Sequence, residues 1–300
     1  MSAVLGGLSR QALLLAAIGI AVFLLIRVVP GDVVDSMALE GNLDDEAIAA
    51  LRAEIGLDAG LAEQFHLWAG RAMRGEFGNS LRFDRPVAEL IGTALPTTLL
   101  LAALALGVGL ALGIGLAAAA VLWPHSPFPL LVEGLNLWSI ALPTFCIGLA
   151  GILVFSIWLG WMPVMGNWIL PVLILGLDNA GQVVKPLHQD LKEAVTAPHI
   201  RTARAKGLSP ARIVLRHLLP TAMTTVVALS GLILAGMIAG ALTMEVLFAL
   251  PGLGTLAYQA ISGRDYPVIQ AVVLVFALGV VLVNALADAV QRLLDPRLRG

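Results

Sequence analysis

Charged residues are confined to a few stretches of this 300-residue chain, and the gaps between them predict its elements. Positions 11–26, 90–132, 134–177, 218–244 and 266–287 contain no Asp, Glu, Lys or Arg. A helix that crosses a bilayer needs roughly 20 predominantly apolar residues. The 90–132 gap is punctuated at Trp123–Pro124–His125–Ser126–Pro127, which ends one long helix and opens the next. The 134–177 gap breaks again between Trp161–Met162–Pro163 and Trp168. The pattern therefore predicts six spans, at about 9–29, 93–122, 129–159, 168–188, 220–248 and 267–291. The first is expected to be a retained helix, because its apolar run from Ala12 to Ile26 is long for a signal peptide and no small-x-small cleavage site follows.

Three pieces lie between the spans. In the external segment, Asp44–Asp45–Glu46 precede Ile48, Leu51 and Ile55, which puts acids in a first helical turn and apolar residues at helical spacing, with Gly56 as the stop. Leu61, Phe65, Trp68 and Ala72 repeat that spacing. This segment is expected to be a small helical cap, either a packing element or a docking surface. The second piece, 189–220, predicts a short helix begun by Pro198, with Thr196 as its cap, and stopped by Gly207 in a left-handed conformation. Ser209–Pro210 then caps and opens a second helix, Ala211 to Leu219, that leads into the fifth span. The third piece, about 249–266, carries Pro251–Gly252–Leu253–Gly254 and reads as a turn or short re-entrant segment.

Composition narrows the class. Hydrophobic residues make up 59% and charged residues 13%, with a mean hydropathy of +0.92. Soluble domains carry roughly 25% charge and 45–50% apolar residues, so a soluble enzyme is excluded, and so is a disordered chain. A formal net charge of −2 gives no field that would gather nucleic acid. The fold class is an all-α polytopic membrane protein. Cys146 is the single cysteine, so there is no internal disulfide and no cysteine-rich metal site. His66, His125, His188, His199 and His217 are scattered without ligand spacing, and no metal centre is expected. Met162 and Met165 could touch a soft metal complex but serve more simply in packing. Lys185, Lys192 and Lys206 are the only lysines and none follows a glycine, so there is no phosphate-cradling Gly-Lys-Ser/Thr motif and no cofactor is expected in this chain.

Charge asymmetry gives an orientation. Lys192, Arg201, Arg204, Lys206, Arg212 and Arg216 lie between spans four and five, Arg292, Arg297 and Arg299 near the C-terminus, and Arg10 near the N-terminus. Segment 31–89 carries twelve acids against five arginines. With an even number of spans, both termini and the 189–220 loop are expected in the cytoplasm and 31–89 outside. Ionisable groups inside the spans are candidates for the transport path: Asp178 with Asn179 and Gln182, Glu133, Asp288, and Glu245, which precedes the outer Pro251–Gly252 turn. Helix–helix hydrogen bonding, or interfacial solvation for Asp288, is the structural alternative.

Arg201–Thr202–Ala203–Arg204–Ala205–Lys206–Gly207–Leu208, followed by Arg216–His217–Leu218–Leu219–Pro220, resembles the EAA loop of ABC-importer permeases, in the branch that imports di- and oligopeptides and nickel. Arg201–Thr202–Ala203 stands where the general pattern has Glu-Ala-Ala, while Gly207 and Leu219–Pro220 keep the register. Further fragments are similar to that branch in order: Leu57–Asp58 with Gln64, Gly75 to Ser80, Ala94 to Thr98, Leu142 to Phe145, Trp161 to Pro163, Glu245 to Phe248, Pro251 to Gly254, Arg264 to Pro267 and Asp295–Pro296–Arg297. The resemblance implies an ABC importer type I permease fold in a cytoplasmic (inner) membrane. It implies an N-terminal span over 1–30, an external segment over 31–92, and a core domain over 93–300. It also implies a second homologous permease subunit, two ATPase subunits that dock on residues 201–208 and hold ATP and Mg, and an extracytoplasmic binding protein. The implied cargo is a peptide; the alternative within the family is nickel or a metal chelate, favoured by the short Met165–Trp168 loop. An ion-coupled secondary transporter would show inverted repeats, and none is evident; a non-transport assembly protein has no use for the glycine elbow.

Overall fold

The computed structural model describes residues 11, 13–24, 60–80 and 82–294. The expected cap helix around Ile48, Leu51 and Ile55, the Leu57–Asp58 fragment and the terminal Asp295–Pro296–Arg297 lie outside those residues. In chain order the described helices are α1 (Leu13–Leu24), α2 (Leu61–Met73), α3 (Val87–Leu122), α4 (Phe128–Ala141), α5 (Thr144–Gly151), α6 (Ile169–Ala194), α7 (Pro198–Ala205), α8 (Pro210–Ile213), α9 (Leu219–Leu247), α10 (Leu253–Ser262) and α11 (Tyr266–Leu294). Wide π-type turns, Ile152–Trp158 and Val214–Leu218, extend α5 and join α8 to α9. Among the described residues no named strand occurs.

By length and apolarity, Val87–Leu122, Pro210–Met237 and Tyr266–Gln291 qualify as spans, and a fourth forms if α4 and α5 with its π turn count as one. That last pair corrects the expected single helix over 129–159, because it is bent by 100°. Pro143 is the cause: it has no N–H to donate and holds Leu142 in an extended conformation at φ −115°, ψ 118°. α6 is long enough but less apolar, for a reason its packing supplies. Of α1, the described part is a 12-residue apolar helix, Leu13–Leu24, at the expected first span.

The chain divides into two compact units, Met1–Pro96 with Pro251–Val281, and Thr97–Leu250 with Leu282–Gly300. In the first, Phe23 of α1 is 2% exposed and meets Phe65 edge-on at 5.3 Å and Trp68 at 5.6 Å. The apolar spacing of α2 is therefore used for packing on α1, except at Leu61, which stays exposed. After α2 the chain forms a tight loop closed by an Asn79–Pro86 bridge. A fully buried carboxylate anchors it. Asp265 accepts hydrogen bonds from Ser80 Oγ, from the Arg82 amide at 3.3 Å and, as the cap of α11, from the Val268 amide at 3.5 Å. Ser80 Oγ in turn accepts from the Phe83 amide at 2.9 Å. The Gly75–Ser80 and Arg264–Pro267 fragments thus meet in space.

The second unit is organised around α6. Leu175, Asn179, Ala180, Val183, Leu187 and Leu191 are buried along it. α3 crosses it at Gly109, where an added Cβ would lie 2.5 Å from the Asn179 Cβ. α4 crosses it at Gly181, where a Cβ would lie 2.5 Å from the Leu135 carbonyl oxygen. Small residues at such crossings let helix backbones approach closely within a membrane. Because one side of α6 is buried against neighbouring helices, Asn179 and His188 on that side are shielded from lipid, whereas Leu173, Leu177 and Gln182 stay exposed; the polar residues it carries make α6 less apolar than Val87–Leu122, Pro210–Met237 and Tyr266–Gln291.

Removing the Ser80 hydroxyl takes one donor from a buried carboxylate, a loss of about 1.5–3 kcal/mol. Ser80→Ala is expected to lower the thermal midpoint and to speed proteolysis at Phe83–Arg85. Wild-type cleavage rates there would show that the loop is held by other contacts.

Candidate functional site

The 189–220 loop is a rigid helical elbow. α7 begins at Pro198, preorganised for a first helical position. Its N-cap is Ala197, with no side-chain cap, so Thr196 does not play the expected role; its hydroxyl donates instead to the Glu193 carbonyl at 2.8 Å. The C-terminal end is as anticipated. Gly207 has φ +76°, its amide bonds the Arg204 carbonyl at 2.9 Å, and the Leu208 amide reaches back to the Ala203 carbonyl at 3.3 Å. These two bonds form a Schellman closure, which satisfies the last carbonyls of the helix and turns the chain sharply.

α7 has two faces. Ile200 and Ala203, three residues apart, are buried in the core of the second unit, and Leu208 packs against that core. Arg201, Thr202, Arg204, Ala205 and Lys206 are exposed. Arg201, Arg204 and Lys206 form no ion pair with any described residue. The element thus presents three positive charges on a short helix whose opposite side is fixed. The C-terminal end of α6 and the N-terminal end of α9 line an open cleft of about 540 Å³ whose lining includes Asp190, Glu193, Thr196, Thr221 and Thr225. Thr225 Oγ1 donates to Asp190 at the edge of this space.

The second helix of the elbow starts at Pro210, one residue before the expected Ala211, and runs without interruption into α9. Ser209 occupies the N-cap position but makes no side-chain cap. The π turn Val214–Leu218 lies where Pro220 cannot donate to the Arg216 carbonyl, and a wider turn accommodates that missing bond.

The intramembrane candidates are dispersed. Glu245, near the end of α9, is fully buried and accepts a hydrogen bond from Thr98 Oγ1 of α3 at 2.6 Å. Asp178 accepts from Gln182 Nε2 at 3.0 Å, one turn along α6. Asn179 is 2% exposed, its amide 3.5 Å from the Met237 sulfur of α9. Glu133 pairs with Lys185 at 2.7 Å across α4 and α6, the interhelical alternative for this acid. Asp288 is exposed. Pro251 is exposed, and Gly252 is buried as the N-cap of α10, a ten-residue helix in the expected re-entrant stretch.

Sequence reasoning missed the partners. Thr98, Lys185, Thr225 and Ser80 were not assigned as the groups that satisfy Glu245, Glu133, Asp190 and Asp265. Asn167 was also missed: 5% exposed, it accepts from the Ile169 amide at 2.9 Å and starts α6. An Asn immediately before an apolar run was the available signal. The other pairs are far apart in sequence, and no local signal marks them.

The family described as "binding-protein-dependent transport system inner membrane component" matches residues 109–300. A Brucella abortus protein named for a peptide transport system permease is 32% identical over 94% of this chain and 94% of its own length. The glutathione transport system permease protein GsiC of Salmonella typhimurium is 33% identical over 95% of this chain and 94% of its own. The fold is that of a chain from the MetNI methionine ABC transporter in an inward-facing conformation, with a TM-score of 0.58 and 18% identity over 69% of this chain and 96% of the other. With a matching family core and relatives aligned over nearly its whole length, this chain belongs to the inner membrane components of binding-protein-dependent transport systems.

Proposed function

We propose that this chain is the membrane-spanning subunit of an ABC importer for small peptides, and that α7 is the element on which a separate ATPase subunit docks. The carrying observation is the elbow: a Schellman-closed helix anchored by Ile200 and Ala203, with Arg201, Arg204 and Lys206 free of ion pairs to described residues. Relatives named for peptide and glutathione transport, at 32–33% identity, favour a peptide over nickel or a metal chelate as cargo. In this reading both termini and the 189–220 loop are cytoplasmic. The chain pairs with a second permease, two ATPases hold ATP and Mg, and an extracytoplasmic binding protein delivers the peptide.

The geometry supports transmission of force. A docked ATPase engages the three cations through acidic groups. When ATP closes the ATPases, α7 is displaced as a rigid body, since its last turn cannot unwind without losing the two closing bonds. Ile200 and Ala203 pass the displacement into the core, which includes Leu191 of α6 and Leu218 before α9. The buried Glu245 is positioned to respond to movement of α9 against α3, because its bond to Thr98 spans the two.

Three outcomes are expected. The chain purified alone in nanodiscs shows no ATP turnover above background; robust hydrolysis by a single pure chain would refute the reading. At Gly207 a Cβ would meet no atom within 4 Å, so substitution strains only the backbone. That strain is about 1 kcal/mol, and more for a β-branched residue. Gly207→Val is therefore expected to insert normally but to lose ATPase co-purification or to hydrolyse ATP without uptake; wild-type transport would remove α7 from the coupling role. Glu245→Gln keeps shape and removes charge. It is expected to reach normal membrane levels with altered uptake or altered stimulation by the binding protein, and unchanged kinetics would leave Glu245 a packing residue.

A further inference from the structure

A second positive face follows the docking helix and differs from it in kind. Arg212 and Arg216 are four residues apart on α8 and its π continuation, so they share a side of the helix. Both are exposed, and neither forms an ion pair with a described residue. Leu215 between them is 62% exposed. Leu208 before the helix and Leu219 after its π continuation are half-buried and pack against the core, so Leu215 is the apolar side chain of the outward face. The opposite side of the same helix, Ile213, Val214 and Leu218, is buried in the core. The outward face therefore sets guanidinium groups and an apolar side chain next to one another. α7 offers charge and small groups without an exposed leucine.

The place of this helix decides what covers the face. Pro210–Met237 is long and apolar enough to cross a membrane, so Arg212 and Arg216 fall in its first two turns. The charge-free apolar stretch begins at Leu218, so the two arginines stand where the 189–220 loop meets one bilayer boundary, whichever way the chain is oriented. An apolar side chain exposed at that boundary lies against the outermost part of the acyl chains. A guanidinium on a long stem at the same depth reaches the headgroup layer, where its planar fork fits a phosphate. We propose that Arg212 and Arg216 bind the phosphate of an anionic phospholipid, with Leu215 lying against its acyl chains. The inference rests on the membrane location of α8 and α9 and does not depend on which cargo is carried.

The test uses the assembled transporter in nanodiscs of phosphatidylcholine with or without phosphatidylglycerol, with retained lipid counted by native mass spectrometry. Wild type is expected to retain phosphatidylglycerol over phosphatidylcholine. A basic residue near an anionic surface contributes about a fivefold preference, so Arg212→Gln with Arg216→Gln is expected to lower the selectivity roughly twenty-five-fold. Arg212→Lys with Arg216→Lys keeps the charge that guides insertion but lacks the fork; it is expected to insert like wild type and to lose part of the selectivity. Arg201→Gln with Arg204→Gln is expected to leave lipid retention unchanged. Inorganic phosphate at millimolar concentration is expected not to displace the lipid, since it brings no acyl chain for Leu215; displacement would assign the site to a free anion and overturn the lipid reading. Unchanged retention in the double Gln variant would reduce these arginines to topology signals. Loss of the ATPase subunits with unchanged lipid would make the face a protein-docking surface instead.

Discussion

At Gly109, Gly176 and Gly181 the helices around α6 come so close that one added methyl group would sit 2.5–2.6 Å from a neighbouring atom. That clearance fixes the second unit. Three glycines set the distances of α3 and α4 from α6, and those distances decide which side chains of α6 are shielded from lipid. Asn179 can be 2% exposed beside Met237, and Lys185 can reach Glu133, because the surrounding helices stand at contact distance. Within a bilayer a polar group without a partner is expensive. The close crossings shield the buried side of a helix that carries this much polarity. The chain then passes from α6 through three residues into α7, so the loop is continuous with the most constrained helix of the unit.

What could be read from the sequence was whatever is encoded locally. The apolar stretches located the helices, Gly207 predicted its own left-handed conformation, and Pro198 and Pro210 placed two helix starts within a residue. The caps were less legible. Thr196 and Ser209 have the right residue types, but hydroxyls in the vicinity of a helix start also have carbonyls within reach, and Thr196 takes Glu193. The bend at Pro143 was hidden because both arms are equally apolar and hydropathy does not register direction.

The candidate site divides along the same line. Residues 201–208 form one local element, so their arrangement followed from spacing alone. Glu133, Asp178 and Glu245 were visible as charges where none is expected, yet their circumstances were not, since these depend on helices brought together from distant parts of the chain. Thr98 and Glu245 are 147 residues apart, and Ser80 and Asp265 are 185 apart. The family fragments that looked separate in sequence, Gly75–Ser80 and Arg264–Pro267, turn out to be two halves of one hydrogen-bonded joint.

The Glu133–Lys185 pair also constrains how the protein is made. Its members are 52 residues apart, and the acid is synthesised first. When α4 leaves the ribosome, its carboxylate has no cation to meet, and α6 has not yet been translated. A helix with an unmatched acid partitions into lipid less readily than its apolar length implies. Once α6 is present, Lys185 offsets that charge, and the two helices carry a matched pair across their crossing.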